Sequence, residues 1–196
     1  MNLPNKLTLM RVCLIPFVMF FYLANFIPFG IGKIVALILF IVAALTDLLD
    51  GKIARKYNIV TNLGKFLDPI ADKMLTSVVL FMLIADGTIP APWGAIVVAI
   101  IISREFMVSG LRLVAANKGI VLAADIWGKA KTMVQMIAIP MCMLYAFFLS
   151  CGFALPVVLM IILQSLSFVL IGVATILTVV SGVNYLVKNI SCFKEN

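Results

Sequence analysis

Between Thr132 and Val187 the chain runs for 56 residues without a charged side chain. A membrane-spanning α-helix needs roughly 20 consecutive, mostly apolar residues, and a single helix of this length would far exceed the thickness of a bilayer. The run therefore has to fold back on itself. Cys151, Gly152 and Pro156 mark the place, because glycine and proline interrupt helices.

The rest of the chain is almost as apolar. Hydrophobic residues make up 64% of the 196 residues, charged residues 12%, and the mean hydropathy is +1.22; a soluble domain of this length could not cover so much apolar surface. Breaks at 25–33, 86–92 and 117–125 separate the apolar segments. We expect a single all-α integral membrane domain over residues 1–196, with six transmembrane helices near 8–28, 33–56, 64–86, 92–116, 125–150 and 154–188.

The basic residues predict the orientation of this domain. An even number of spans puts both termini on one side, and 14 of the 15 Lys and Arg residues fall on that side, with Lys33 alone opposite. Because short cytoplasmic loops retain basic residues, we expect both termini in the cytoplasm of a multi-pass cell-membrane protein. The net charge of +7 is then concentrated on one face, where it suits membrane lipids or a phosphorylated substrate as partners, and not nucleic acid.

Four of the eight acidic residues lie within the single stretch 46–73. Acidic and small residues recur there at helical spacing, so each set occupies one face of a helix. The second helix carries Asp47, Asp50, Gly51 and Ala54 near its cytoplasmic end, and the third carries Gly64, Asp68 and Asp72 near its start. A short turn would make these helices antiparallel neighbours whose acidic faces can meet.

Four carboxylates at this depth would repel one another and be poorly hydrated unless cations neutralise them. Hard oxygen ligands suit Mg²⁺, Mn²⁺ or Ca²⁺, and the absence of histidine from the chain excludes a histidine-bearing zinc site and a histidine base. Two alternatives stay open. The carboxylates could pair with neighbouring lysines and arginines on a solvated surface, and the small residues could serve helix contact as well as close approach of a ligand to the backbone.

Written as spacings, the stretch is Asp47-x2-Asp50-Gly51-x2-Ala54-Arg55-x8-Gly64-x3-Asp68-x3-Asp72. It resembles, without a departure, the signature of the CDP-alcohol phosphotransferases. The resemblance implies a membrane enzyme with six transmembrane helices, usually a homodimer, that transfers a phosphoryl-linked group from a CDP-alcohol to a second alcohol and releases CMP.

The resemblance also implies a role for each residue of the signature. Mg²⁺ or Mn²⁺, two ions per active site, would be held by Asp47, Asp50, Asp68 and Asp72. Asp72 would in addition be the catalytic base that takes the proton of the acceptor hydroxyl. The donor, CDP-diacylglycerol, would be bound by Gly51, Ala54, Arg55 and Gly64. Two metal ions can hold the attacking and leaving oxygens, and the planar fork of Arg55 suits phosphate.

Three stretches outside the signature, 2–11, 103–112 and 119–136, resemble the phosphatidylglycerophosphate synthases of that family, which use glycerol 3-phosphate as the acceptor. An acceptor that carries a phosphate needs cations beyond those that hold the donor. We expect these cations on the fourth and fifth helices, at Arg104, Arg112, Lys129 and Lys131. Arg104 could instead pair with Glu105 or extend to the membrane interface.

Other features have simpler interpretations. Asp125 suits a helix N-cap, and Trp93 and Trp127 suit anchors at the membrane interface. Beyond Ala138 the apolar sequence predicts packing and dimer contact.

Two other functions are weighed against the transferase. Within the family the acceptor could be a second phosphatidylglycerol, inositol phosphate or serine. Outside it, intramembrane carboxylates also mark cation transporters. A transporter needs polar groups on several helices and a path to both sides, whereas here only Lys33 and Asp86 carry charge on the face opposite the acidic cluster.

Overall fold

A computed structural model describes residues 3–24, 26–57, 62–117, 125–152 and 155–189. For 3–7, 47–57, 62–69 and residue 117 the description covers the backbone only. The described residues form six α-helices and no strand: α1 Leu3–Leu23, α2 Ile31–Tyr57, α3 Asn62–Ala85, α4 Trp93–Asn117, α5 Ile126–Ser150 and α6 Val157–Asn189.

The predicted all-α class is confirmed, and five of the six helices begin and end within three residues of the predicted positions. The predicted first helix, 8–28, is wrong in its bounds, since α1 ends at Leu23 and a short 3-10 helix follows at Pro28–Gly30. The backbone there has positive φ at Phe29 (59°) and Gly30 (65°). A regular right-handed helix cannot include these two residues, which lie between α1 and α2.

Several helices are suited to a bilayer. Within the described part of the chain, four stretches are long and apolar enough to cross a membrane: Pro28–Thr46, Trp93–Ala116, Ile126–Ser150 and Val157–Asn189. A shorter apolar stretch covers Thr8–Leu23. The chain therefore has the character of a membrane protein, and the count of six spans stays a prediction.

The helices form a closed bundle in which α1 packs on α2, α2 on α5, α5 on α6, α6 on α4, α4 on α3 and α3 on α1. In addition α3 reaches across to contact α5. Along the parts of α2 and α3 whose side chains are described, α1 packs against both helices. The predicted meeting of their acidic ends lies outside those side chains.

The core of the bundle contains large apolar side chains interleaved with small ones. Val18, Phe40, Leu80 and Met143 are all fully or almost fully buried. Gly32 shows how close the backbones approach, because a Cβ there would collide with the carbonyl oxygen of Phe21 in α1. Close contact between small residues is a common way for helices to associate in membranes, where lipid is as apolar as the side chains.

At the bundle end away from Asp72, one carboxylate joins three helices. Asp86 accepts hydrogen bonds from the Tyr22 hydroxyl (2.6 Å), from Lys33 Nζ (2.9 Å) and from the backbone N–H of Thr88 (2.9 Å). Lys33 and Asp86, the two charges that the sequence places on that face, thus form an ion pair. Burial alone would raise the pKa of Asp86, but hydrogen bonds from Tyr22, Thr88 and Lys33 outweigh it and lower that pKa below its usual value.

Candidate functional site

A cavity of about 400 Å³ opens between α3, α4 and α5. Most of the residues that line it are polar or charged, in contrast to the apolar outer faces of the same helices. The polar residues that line it are Asp72, Lys73, Thr76, Arg104, Glu105, Ser109, Arg112, Asp125, Lys129, Thr132 and Gln135. Four residues predicted to be functional are therefore brought to one cavity: Asp72, Arg104, Arg112 and Lys129.

Helix α3 contributes one of the three carboxylates that line the cavity. Asp72 is partly buried there, next to Lys73. One turn further along α3, the hydroxyl of Thr76 donates to the backbone carbonyls of Asp72 and Lys73 at 3.2 Å each. These bonds hold the side chain of Thr76 against its own helix, at the wall of the cavity.

Arg104 of α4 is accommodated by two glycines of neighbouring helices. A Cβ added at Gly182 of α6 would lie 3.1 Å from Cγ of Arg104, and one at Gly128 of α5 would lie 3.5 Å from its Nη2. The Nε atom of Arg104 is buried and has no hydrogen-bond partner among the described residues. Arg104 is thus packed closely against Gly182, where a larger residue would be tight, whereas the contact at Gly128 is an ordinary one; the sequence did not reveal either neighbour.

Glu105, the neighbour of Arg104, has a different partner. Its carboxylate accepts a hydrogen bond from Nζ of Lys131, whose side chain is completely buried. The pair joins α4 to α5. The alternative pairing of Arg104 with Glu105 is not formed. Lys131 does not line the cavity, so the structure separates it from the other three cations that were predicted to bind the acceptor phosphate.

Helix α6 supports the outer part of the cavity. Arg112 donates from Nε to the Tyr185 hydroxyl at 3.4 Å, and its guanidinium lies 5.4 Å from the centre of the Tyr185 ring. Lys129 is exposed. The prediction that residues beyond Ala138 serve packing and dimer contact is therefore incomplete. Polar residues within the uncharged run, such as Tyr185, could have indicated that α6 contacts the site.

Asp125 precedes α5 at the N-cap position, as expected, with extended backbone angles (φ −76°, ψ 147°). Its side chain does not cap the helix. The carboxylate instead accepts hydrogen bonds from Asn184 Nδ2 (2.6 Å) and Lys188 Nζ (3.3 Å) of α6. The predicted N-cap position is therefore correct, but the side chain of Asp125 binds α6 and not the first turn of α5.

Most of the signature lies outside the described side chains. The backbone places Asp47, Asp50, Gly51, Ala54 and Arg55 in the last turns of α2, and Gly64 and Asp68 in the first turns of α3. Asp68 precedes Asp72 by one helical turn. Among residues whose side chains are described, no group of three His, Cys, Asp or Glu residues is arranged to hold a metal ion.

Gln135 is a cavity residue that the sequence did not single out. It lies one turn after Lys131 on α5, is only 4% exposed, and its Oε1 has no hydrogen-bond partner within the described structure. Like Arg104, it lines the cavity and has a buried polar atom without a partner in the described structure.

Comparisons with known proteins identify the family of the chain. A family model described as CDP-alcohol phosphatidyltransferase matches residues 1–180. Relatives named "CDP-diacylglycerol--glycerol-3-phosphate 3-phosphatidyltransferase" include one from Bacillus subtilis (strain 168), 44% identical over 100% of this chain and 98% of that protein. Another, from Rickettsia bellii (strain RML369-C), is 36% identical over 94% and 93%. A third, from Salmonella typhimurium (strain LT2), is 38% identical over 70% and 74%. The chain belongs to the CDP-alcohol phosphatidyltransferase family.

Proposed function

We propose that this protein transfers the phosphatidyl group of CDP-diacylglycerol to sn-glycerol 3-phosphate, forming phosphatidylglycerophosphate and CMP. Relatives named for this reaction match nearly the whole chain. The structural observation that carries the proposal is the cavity itself, in which Asp72 of the signature shares one space with Arg104, Arg112 and Lys129.

Three cations suit an acceptor that bears its own phosphate. Arginine presents a planar fork of N–H donors that can bind two phosphate oxygens at once, and lysine adds a point charge. A neutral acceptor alcohol such as serine would not need them. We assign the acceptor phosphate to Arg104, Arg112 and Lys129, while Lys131 holds Glu105 and thereby joins α4 to α5.

In the proposed reaction Asp72 takes the proton of the acceptor hydroxyl. The hydroxyl oxygen forms a bond to the phosphorus of the phosphatidyl group, and the bond from that phosphorus to the oxygen of CMP breaks. A carboxylate is a weak base at neutral pH, so positioning has to contribute much of the effect. The cavity supplies positioning by holding the acceptor phosphate at a fixed distance from Asp72.

The chemistry of the signature fits divalent cations, because its four candidate ligands are all carboxylates and the described one, Asp72, lines the cavity. Mg²⁺ or Mn²⁺, two ions per site, would be held by Asp47, Asp50, Asp68 and Asp72. When bound, the ions would neutralise the diphosphate of the donor and stabilise the leaving oxygen.

The remaining assignments follow the family pattern. The cytidine diphosphate would be held by Gly51, Ala54, Arg55 and Gly64, at the end of α2 and the start of α3. We further propose six membrane spans, cytoplasmic termini and active site, and a homodimer surrounded by membrane lipids in the cell membrane. The distribution of basic residues supports this orientation.

Release of CMP tests the proposal directly. The purified protein in detergent, supplied with CDP-diacylglycerol and Mg²⁺ or Mn²⁺, is offered glycerol 3-phosphate, phosphatidylglycerol, inositol phosphate or serine in separate reactions. We expect CMP with glycerol 3-phosphate and little with the others. CMP release that is fastest with another acceptor would reassign the substrate within the family, and no release with any of them would reject the transferase.

A further inference from the structure

The innermost part of the cavity differs from its mouth. Arg112 and Lys129 are exposed, whereas Thr76 and Gln135 are 8% and 4% exposed. On α3, Thr76 lies one turn deeper than Asp72, and on α5 Gln135 lies between one and two turns deeper than Lys129; a turn of α-helix advances about 5.4 Å. The cavity thus has a charged outer part and an uncharged polar floor formed by Thr76 and Gln135.

The two floor residues are not equally satisfied. Thr76 donates its hydroxyl to backbone carbonyls of its own helix. Gln135 has a buried Oε1 without a hydrogen-bond partner in the described part of the chain. Buried polar atoms are rarely left unpaired, and an amide in the middle of an apolar helix needs a reason. A bound molecule that reaches the floor would supply the missing partner.

The chemistry of the amide indicates which part of the acceptor it meets. An amide both donates and accepts hydrogen bonds, and its oxygen and nitrogen can exchange places by rotation. A hydroxyl, which also donates and accepts, is its natural partner. Phosphate can only accept from it and is better bound by Arg104, Arg112 and Lys129. An acceptor whose phosphate lies among these cations and whose primary hydroxyl lies at Asp72 can turn its secondary hydroxyl toward the floor.

We propose that Gln135 determines acceptor specificity by hydrogen-bonding the secondary hydroxyl of the acceptor, the hydroxyl that does not attack phosphorus. The inference rests on the proposed function, because it takes glycerol 3-phosphate as the acceptor. It adds a residue outside the signature and outside the basic set, with a defined ligand atom. Gln135 would select acceptors by a group that takes no part in bond formation.

The test uses an acceptor pair that differs in that hydroxyl alone: glycerol 3-phosphate and 3-hydroxypropyl phosphate, which keeps the primary hydroxyl and the phosphate. The wild-type protein should prefer glycerol 3-phosphate by about tenfold or more in kcat/KM, the effect of one well-made hydrogen bond to an otherwise unpaired group. Gln135→Leu should lower kcat/KM for glycerol 3-phosphate by a similar factor and leave that for 3-hydroxypropyl phosphate nearly unchanged. The ratio of the two kcat/KM values then falls toward one.

Gln164→Leu is the matched control, because Gln164 lies on α6, is partly buried and does not line the cavity. This variant should keep the wild-type preference. Gln135→Met, which preserves the length of the side chain, repeats the measurement in case Gln135→Leu does not fold. A preference that persists in the folded Gln135 variant, or an equal loss with both acceptors, overturns the proposal. A wild-type protein that releases no CMP with glycerol 3-phosphate, yet does so with another alcohol, contradicts the proposed function instead.

Discussion

Arg104 on α4 extends across Gly182 on α6, so closely that a Cβ at the glycine would lie 3.1 Å from Cγ of the arginine. That separation is shorter than ordinary van der Waals contact. A side chain introduced at position 182 would therefore push Arg104 away by a few tenths of an ångström. Arg104 also lines the cavity. Because Gly182 has no side chain, Arg104 can take its present position against α6.

Enlarging Gly182 should displace Arg104 and weaken binding of the acceptor. We expect Gly182→Val to raise the KM for glycerol 3-phosphate by about tenfold, the loss of one charge-assisted hydrogen bond, and to leave the KM for CDP-diacylglycerol nearly unchanged. Gly182→Ala should show a smaller rise. Gly172→Val is the control, because a Cβ at Gly172 on the same helix would meet no atom within 4 Å. Equal effects of Gly172→Val and Gly182→Val would refute this account of how Arg104 is positioned.

The arginines themselves provide a second prediction. Arg104→Ala and Arg112→Ala should each raise the KM for glycerol 3-phosphate by about tenfold or more while the KM for CDP-diacylglycerol changes little. Arg55→Ala should give the reverse pattern, because Arg55 belongs to the signature at the end of α2. Steady-state kinetics with each substrate varied in turn measure both constants. If the α4 variants weaken only the donor, the acceptor phosphate is bound elsewhere.

A third prediction concerns the buried ion pair between Lys131 and Glu105. Glu105→Gln leaves the completely buried ammonium of Lys131 without its hydrogen-bonded anion, and we expect a loss of about 3–5 kcal/mol in the free energy of unfolding, the usual effect of breaking a buried pair. Replacing both residues, as Glu105→Gln with Lys131→Met, should recover most of that loss. Thermal unfolding in detergent compares the single and double variants. A double variant less stable than Glu105→Gln alone would show that Lys131 has another essential partner.

Much of the bundle was predictable because it depends on local sequence. Apolar length and the positions of glycine and proline predicted six helices, five of them within three residues. The end of α1 was predicted five residues too late, because a count of apolar residues does not indicate where, within an apolar stretch, the helical hydrogen bonds end.

The site was predictable only in part, for a different reason. Basic residues on α4 and α5 pointed to a polar cavity, since uncompensated charge is unfavourable in an apolar helix. Which carboxylate each cation meets depends on how α4, α5 and α6 are set against one another. Arg104 and Gly182, or Asp125 and Asn184, are far apart in sequence, and no periodicity within one helix relates them.

The fourth prediction follows from the lowered pKa of Asp86, whose usual value is 3.8. Because the carboxylate gives up its proton more readily in the native protein than in the unfolded chain, it favours folding above about pH 4, and this contribution is lost as the pH falls through the lowered pKa. The unfolding temperature in detergent should therefore decrease more between about pH 6 and pH 3 for the wild type than for Asp86→Asn. Parallel curves would mean that the pairing with Lys33 and Tyr22 does not favour the ionised form.

The last prediction concerns Asp72 and the proposed metal ions. Asp72→Asn should still fold but lower turnover by about a hundredfold or more, because an amide neither takes up the acceptor proton nor neutralises a cation. Removal of divalent ions by a chelator should abolish CMP release, and Mg²⁺ or Mn²⁺ should restore it. The two effects are separable, because excess metal cannot rescue a missing base, whereas it can rescue a merely weakened metal site. Full activity after exhaustive chelation would reject the metal mechanism, and an Asp72→Asn variant that keeps more than about a tenth of wild-type turnover would remove Asp72 from the catalytic residues.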